Sequence, residues 1–132
     1  MKTNPSSARS RPLVLLCEDE PIVAMDIQMM LEDAGYEIAG PYACVTDALD
    51  AINNINPDVA LLDVRLRDGE VFPAAERLKE NGVPLIFHSG HIVEDNVADR
   101  FPKALHCPKP VMPDVLLGTI ETACVKAECT QE

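Results

Sequence analysis

Five short apolar runs constrain the fold of this chain more than any other feature of its sequence. They cover residues 13–17, 36–39, 59–62, 85–88 and 104–107. The runs are rich in valine, leucine and isoleucine and show little alternation with polar residues, which is typical of strands buried on both faces of a parallel sheet. The sequence therefore predicts a five-stranded parallel sheet.

Helical patterns separate these runs. The strongest pattern begins at Pro21, repeats its apolar residues at helical spacing and stops before Gly35, so it predicts a helix over 21–34. Weaker patterns predict helices over 45–52, 73–79 and 113–127, and a short or mobile helix over 92–100. Strands that alternate with helices over short connections specify an α/β fold, a doubly wound parallel sheet with helices on both faces.

The length of 132 residues predicts a single domain. Residues 1–11 are polar and lack apolar periodicity, which indicates a flexible leader. We expect the domain to cover 12–127 and a C-terminal tail to cover 128–132. One small domain leaves no room for a separate output module, so its action should depend on contact with other proteins.

The charge of the chain excludes several partners. It carries 11 Lys and Arg against 22 Asp and Glu, a formal net charge of −11. A surface this acidic repels nucleic-acid phosphates and favours proteins or cations as partners. No apolar run approaches the roughly 20 residues of a membrane span, and none resembles a signal peptide core. The sequence thus predicts a cytoplasmic protein that binds neither nucleic acid nor membrane.

Five cysteines without a Cys-x-x-Cys pair argue against a disulfide framework and fit a reducing compartment. A zinc site formed by His88, His91, His106 and Cys107 is a minor alternative, because these residues lack the usual spacing of zinc ligands. Buried or spectator side chains are the favoured interpretation of the four residues.

Polar residues follow four of the five runs at the point where each strand should end. Glu18, Asp19 and Glu20 follow the first run, Asp63 the third, Ser89 the fourth and Lys109 the fifth. Each has an ordinary structural interpretation by itself: an acidic first helical turn, a cap, a turn serine or a solvated lysine. Ligands of open α/β sheets bind at the carboxyl ends of the strands, so their joint placement predicts a functional site.

The chemistry of these groups indicates phosphoryl transfer. Two carboxylates about 4 Å apart repel by roughly 4 kcal/mol at an effective dielectric near 20, so Asp19 and Asp63, with Glu18 nearby, favour a hard divalent cation such as Mg²⁺. Lys109 adds a fixed positive charge and Ser89 a neutral hydroxyl. Together they predict a cradle in which a phosphoryl group is transferred to a carboxylate, giving an aspartyl phosphate.

A magnesium-dependent phosphohydrolase is a less favoured alternative. A phosphatase of the haloacid-dehalogenase type needs a second aspartate two residues after its nucleophile as a general acid, and this chain has Arg65 there. We therefore predict a protein that is not an enzyme.

The sequence resembles the receiver domain of two-component response regulators from about residue 12 to 127. The resemblance rests on residues 14–21 (VLLCEDEP), 57–63 (PDVALLD), Ser89-Gly90 and Lys109-Pro110, in the family's order and approximate spacing. It implies a flavodoxin-like fold with strand order 2-1-3-4-5. It also implies that Asp63 is the phosphoacceptor and that Asp19, Asp63 and the backbone carbonyl of Arg65 hold Mg²⁺, with Glu18 assisting through water. Ser89 and Lys109 match the switch hydroxyl and the invariant lysine.

Residues 82–91 (GVPLIFHSGH) also resemble the Pro-Phe-x-Phe-Ala-Thr-Gly-Tyr signature of a subgroup of stand-alone receivers. Members of that subgroup are similar to proteins that work with HWE-type and related histidine kinases. One departure from the wider family is His106, where many receivers have the tyrosine or phenylalanine that reorients on phosphorylation. We interpret His106 as a half-buried strand histidine without a signalling role.

We therefore predict a single-domain response regulator of a phosphorelay. The resemblance implies that its phosphodonor is a histidine kinase or a histidine phosphotransfer protein. We expect a downstream protein to bind the face formed by residues 92–117. A receiver-fold docking module that acts without phosphorylation remains the alternative.

Overall fold

The computed structural model describes residues 11–89 and 97–131. The strands of the main sheet are β1 (Leu13–Cys17), β2 (Glu37–Tyr42), β3 (Val59–Asp63), β6 (Leu85–Ser89) and β7 (Leu105–Pro108). Between β3 and β6 lie two short strands, β4 (Arg65–Leu66) and β5 (Gly69–Glu70). The helices are α1 (Pro21–Asp33), α2 (Val45–Ile52), α3 (Phe72–Glu80), α4 (Val97–Arg100) and α5 (Pro113–Gln131).

The main sheet is parallel throughout and has the order β2-β1-β3-β6-β7. Counting only its own five strands, this is the predicted order 2-1-3-4-5. Successive residues of a strand face opposite sides of a sheet, so the fully buried strands supply two separate cores. One core packs against α2, α3 and α4, and the other packs against α1 and α5. The predicted α/β fold with helices on both faces is confirmed.

Most element boundaries differ from the predictions by one or two residues, and two differ by more. The helix α5 reaches Gln131 instead of residue 127, because the chain has no proline or glycine after Gly118 to stop it. The strand β2 reaches Tyr42 instead of residue 39 and includes Gly40 and Pro41. Proline is tolerated there because β2 lies at the sheet edge.

The predicted leader and fourth helix are only partly described. Residues 1–10 and 90–96 lie outside the described residues, and α4 covers the last four residues of the predicted helix over 92–100. Within the described residues, no helix has the length and hydrophobicity that crossing a membrane requires.

The antiparallel pair β4 and β5 was not predicted. Hydrogen bonds connect this hairpin, which follows β3, to the start of α2. The side chain of Cys44, the residue that precedes α2, does not cap the helix. Asp68, in the turn of the hairpin, caps it instead. The carboxylate of Asp68 accepts hydrogen bonds from the backbone N–H groups of Val45 (2.7 Å) and Thr46 (3.2 Å). Hydrogen bonds to helix-terminal N–H groups favour a negative charge, so they lower the pKa of Asp68.

A bulge in β2 depends on Gly40. The pairing of β1 with β2 shifts by one residue between Leu15 and Cys17, and Gly40 lies in that interval with φ +108°. A Cβ atom on Gly40 would lie 2.6 Å from the carbonyl oxygen of Leu16. The strand thus requires glycine both for its backbone conformation and for the close approach of β1.

We expect Gly40→Ala to lower the free energy of unfolding by about 2 kcal/mol, because the side chain adds strain at a positive φ and a clash with backbone. Gly118→Ala is the matched control, since Gly118 lies within α5 and a Cβ atom there meets nothing within 4 Å. Alanine at that helical position should stabilise by up to ~1 kcal/mol. Urea unfolding measures both, and equal stabilities of the two variants would contradict the assignment of strain to Gly40.

Candidate functional site

Three neighbouring strands place polar side chains on one face of the sheet at its carboxyl edge. Asp63 pairs with His88 in the register of β3 and β6. Glu18 comes one residue after Cys17, which pairs with Leu62. With side chains alternating along each strand, Glu18, Asp63 and His88 all lie on the side of the sheet that α1 and α5 cover. The three side chains therefore form a row across β1, β3 and β6.

Lys109 follows the edge strand β7 and reaches two carboxylates of this row. Its ammonium donates a hydrogen bond to Asp63 Oδ2 at 3.1 Å and lies 3.5 Å from Glu18 Oε1. Burial lowers the pKa of Lys109, but the hydrogen bond to Asp63 and the two negative charges outweigh burial, so the pKa lies above its ordinary value. Lys109 is therefore a permanent cation of the site.

Glu18 is almost completely buried, with 2% of its surface exposed. Its Oε2 accepts a hydrogen bond from the backbone N–H of Glu20 at 3.1 Å, but its Oε1 has no hydrogen-bond partner. Burial raises the pKa of Glu18 to about 7, and the nearby charge of Asp63 acts in the same direction, whereas Lys109 opposes it. Glu18 is thus a carboxylate whose ionised form is poorly stabilised in the protein without a bound cation.

His88 was named only as a ligand of the alternative zinc site, with a buried side chain favoured, and was not predicted to lie beside the acidic group. Its imidazole is fully buried, and Nδ1 lies 3.6 Å from Glu18 Oε1. Neither ring nitrogen makes a hydrogen bond of standard geometry, although the backbone of Cys17 lies close enough to the ring to oppose part of the effect of burial on its pKa. Burial lowers the pKa of His88 to about 4, so the imidazole is neutral at physiological pH. The signal available in the sequence was a histidine at the end of a buried apolar run, directly before Ser89.

Three carboxylates lie close enough to hold one metal ion. Ligand oxygens of Glu18, Asp19 and Asp63 all lie within 4.8 Å of one another, and this is the one such group in the part of the chain that the structure describes. A set of oxygen ligands with partial burial fits Mg²⁺. The structure thus brings the three predicted carboxylates together at the carboxyl edge of the sheet.

The alternative zinc site is not formed by the described residues. His106 and Cys107 are consecutive in β7 and therefore face opposite sides of the sheet. His91 lies outside the described residues. His106 is half-buried, as predicted, with its ring 6.4 Å from the ring of Phe87, and burial lowers its pKa.

The remaining predicted site residues lie at the same edge of the sheet. Ser89 is the half-buried last residue of β6, directly after His88, and pairs in register with Pro108 of β7. The side chain of Arg65 is exposed. Arg65 lies two residues beyond Asp63 along the chain, at the start of β4.

Comparison with known proteins agrees with this geometry. Residues 14–121 match the family model of the response regulator receiver domain. The chain belongs to this family. Among curated relatives of the receiver domain, the phyllosphere-induced regulator PhyR of Methylorubrum extorquens is 29% identical over 113 residues, which are 83% of this chain and 42% of that protein. The chain therefore spans less than half the length of this relative.

Solved structures of receiver domains superimpose on this one. The receiver domain of a modulated diguanylate cyclase from Desulfovibrio desulfuricans gives a TM-score of 0.83 at 30% identity, covering 92% of this chain and 99% of the other. The PhyR receiver domain of Erythrobacter litoralis gives 0.78 at 30% identity, covering 88% and 92%. The family assignment supports a response-regulator role in two-component signalling.

We expect Glu18→Gln to stabilise this receiver domain increasingly as the pH rises from 5 to 8. An unfolded glutamate ionises near 4.5, whereas folded Glu18 keeps its proton until about 7, so the wild-type fold loses stability between these values. The variant avoids this loss, which is on the order of 2 kcal/mol.

Urea unfolding of both proteins without divalent cations at each pH measures the difference. Glu37→Gln, which removes an exposed carboxylate from β2, is the matched control for the loss of one negative charge. If Glu18→Gln changes the free energy of unfolding equally at pH 5 and pH 8, Glu18 ionises in the folded protein as it does in water, which would contradict this prediction.

Proposed function

We propose that this receiver domain accepts a phosphoryl group on Asp63 from a phosphohistidine and then signals by contact with another protein. One observation carries the proposal: Asp63 is hydrogen-bonded to Lys109 at 3.1 Å and shares a cluster within 4.8 Å with Glu18 and Asp19. A nucleophilic carboxylate between a fixed cation and an acidic group that favours a metal ion is the arrangement that phosphoryl transfer requires.

In the proposed step an oxygen of Asp63 attacks the phosphorus atom and the phosphorus–nitrogen bond of the donor breaks. The imidazole of the donor keeps the bonding electron pair and a proton from solvent neutralises it. Lys109 provides positive charge for a phosphoryl oxygen, and the hydroxyl of Ser89 donates a hydrogen bond to another. These two groups come from different strands, so they are in place only in the folded sheet.

The acidic cluster makes Mg²⁺ the cofactor of this proposal. Asp19, Asp63 and the backbone carbonyl of Arg65 would hold it, with Glu18 assisting through water. When bound, the ion supplies positive charge for the phosphoryl oxygens and relieves repulsion among the carboxylates. Buried Glu18 supports this assignment, because its Oε1 has no hydrogen bond and, within the described residues, only the Lys109 ammonium at 3.5 Å to offset its charge.

The proposed output surface includes α4 and the segment up to residue 117. Phe87 of β6 lies two residues before Ser89, and its ring packs against Phe101, which follows α4, with the ring centroids 5.4 Å apart. A displacement of β6 towards a phosphoryl group would therefore change the packing under α4. Residues 92–96 of the predicted surface lie outside the described residues.

A histidine kinase or a histidine phosphotransfer protein is the proposed phosphodonor, and the exchange takes place in the cytoplasm. Response regulators are signalling proteins, and nothing in the described site adds a group for repeated hydrolysis. The residue two positions after Asp63 is Arg65, whose side chain is exposed. We therefore propose that this domain takes up and passes on a signal and does not turn over small phosphoesters.

Incubation with acetyl phosphate and Mg²⁺ should add one phosphoryl group to the protein, seen by intact-mass spectrometry. Asp63→Asn should abolish this addition, because an amide does not attack phosphorus. Asp50→Asn is the matched control, since Asp50 is an exposed aspartate of α2. An unchanged mass of the wild type, or equal phosphorylation of Asp63→Asn, would contradict the proposal. If Asp63→Asn keeps full signalling in the cell, the domain acts by docking alone.

Mg²⁺ should raise the melting temperature of the wild-type protein. A ligand that binds only the folded state stabilises it by about 2.7 kcal/mol at a concentration of roughly 100 times its Kd. Asp19→Asn should reduce this effect, whereas Asp33→Asn, at an exposed aspartate of α1, should retain it. Thermal unfolding in millimolar Mg²⁺ measures the shift, and the absence of any shift in the wild type would exclude the proposed metal site.

A further inference from the structure

A buried histidine that the proposed phosphoryl transfer does not use lies beneath the acidic cluster. His88 is fully buried, and neither of its nitrogens makes a hydrogen bond of standard geometry, the backbone of Cys17 being its weak polar neighbour. A buried polar group without a hydrogen bond destabilises the fold, so such a group in a native protein calls for an explanation. A leucine or isoleucine at this position would avoid that cost.

A carboxylate oxygen close to the ring also lacks a hydrogen bond. His88 Nδ1 lies 3.6 Å from Glu18 Oε1, and that oxygen accepts no hydrogen bond. A distance of 3.6 Å is longer than a hydrogen bond. A shift of a few tenths of an ångström would join the ring N–H to the carboxylate. The two groups are therefore complementary, one donor and one acceptor.

Lys109 is shared between the two carboxylates of the row. Its ammonium lies 3.1 Å from Asp63 Oδ2 and 3.5 Å from Glu18 Oε1. If a phosphoryl oxygen draws Lys109 towards itself, the ammonium moves away from Glu18 Oε1. His88, whose Nδ1 lies 3.6 Å from the same oxygen, is then a donor that remains beside it.

We propose that His88 is a positioning residue whose Nδ1–H holds Glu18 Oε1, so that the carboxylate stays aimed at the cation site and Lys109 remains free for Asp63 and the phosphoryl group. This inference rests on the proposed function. A neutral imidazole suits the role, because it donates a hydrogen bond without adding a positive charge that would repel the metal ion. Groups that orient a metal-binding carboxylate in this way strengthen metal binding.

The test compares His88→Leu and His88→Asn with the wild type in the 132-residue chain. The Kd for Mg²⁺ is measured by isothermal titration calorimetry and the melting temperature is measured without Mg²⁺. We expect His88→Leu to melt at a higher temperature than the wild type, because it removes two buried nitrogens without a standard hydrogen bond, and to bind Mg²⁺ about tenfold more weakly. A merely structural role for His88 would not produce opposite effects on stability and metal binding.

His88→Asn provides the conservative rescue, since the side-chain amide of asparagine can place an N–H near the position of Nδ1. It should bind Mg²⁺ more tightly than His88→Leu. A second comparison uses Glu18→Gln as background. If His88 acts through Glu18, His88→Leu should no longer change the Kd for Mg²⁺ when Glu18 is already replaced.

The outcomes separate the two proposals. An unchanged Kd for His88→Leu, or an equal loss of affinity in the Glu18→Gln background, overturns the role of His88 and leaves the proposed function intact. Failure of the wild type itself to bind Mg²⁺ overturns the proposed metal site and this inference with it.

Discussion

The ion pair between Lys109 and Asp63 stabilises the acidic group at the carboxyl edge of this sheet. Three carboxylates lie within 4.8 Å of one another at that edge, two of them largely buried. Like charges at such distances repel by several kcal/mol at an effective dielectric of about 20. One ammonium, 3.1 Å from one carboxylate and 3.5 Å from another, offsets part of this repulsion. The proton that Glu18 retains up to a pH of about 7 offsets more.

The same edge shows how a parallel sheet assembles a site from distant parts of a sequence. Glu18 and Lys109 belong to strands separated by two others in the sheet, yet both point to the space above Asp63. The register that pairs Asp63 with His88 also places a histidine under the acidic group. The register between β3 and β6 therefore both pairs the two strands and places their polar side chains next to each other.

Much of the fold was predictable because it depends on local patterns. The apolar runs identified all five strands of the main sheet, and the prolines at 21, 73 and 113 identified the starts of three helices to within one residue. Strand β2 was predicted too short because Gly40 and Pro41 normally end a strand, and only its place at the sheet edge permits them. The hairpin of β4 and β5 was missed because two-residue strands have no periodicity.

The site was predictable to the extent that it follows the strand ends. The rule for parallel sheets correctly brought Asp19, Asp63 and Lys109 together. It did not identify His88, because the burial and the facing direction of a residue inside an apolar run depend on the register of three strands. It also did not identify Asp68, whose capping of α2 joins segments more than twenty residues apart. Pairings of this kind are set by tertiary structure and leave no local trace in the sequence.

All three phenylalanines of the chain, Phe72, Phe87 and Phe101, belong to one aromatic cluster, and the chain has no tryptophan. The guanidinium of Arg100 in α4 covers this cluster, 4.4 Å from the ring centroid of Phe72. Fluorine labels introduced through phenylalanine would therefore all report on the junction of α3, β6 and α4. The protein has no tryptophan whose fluorescence could be followed. Fluorine magnetic resonance of labelled phenylalanines would instead monitor one region, the packing between the phosphoryl site and the proposed output helix.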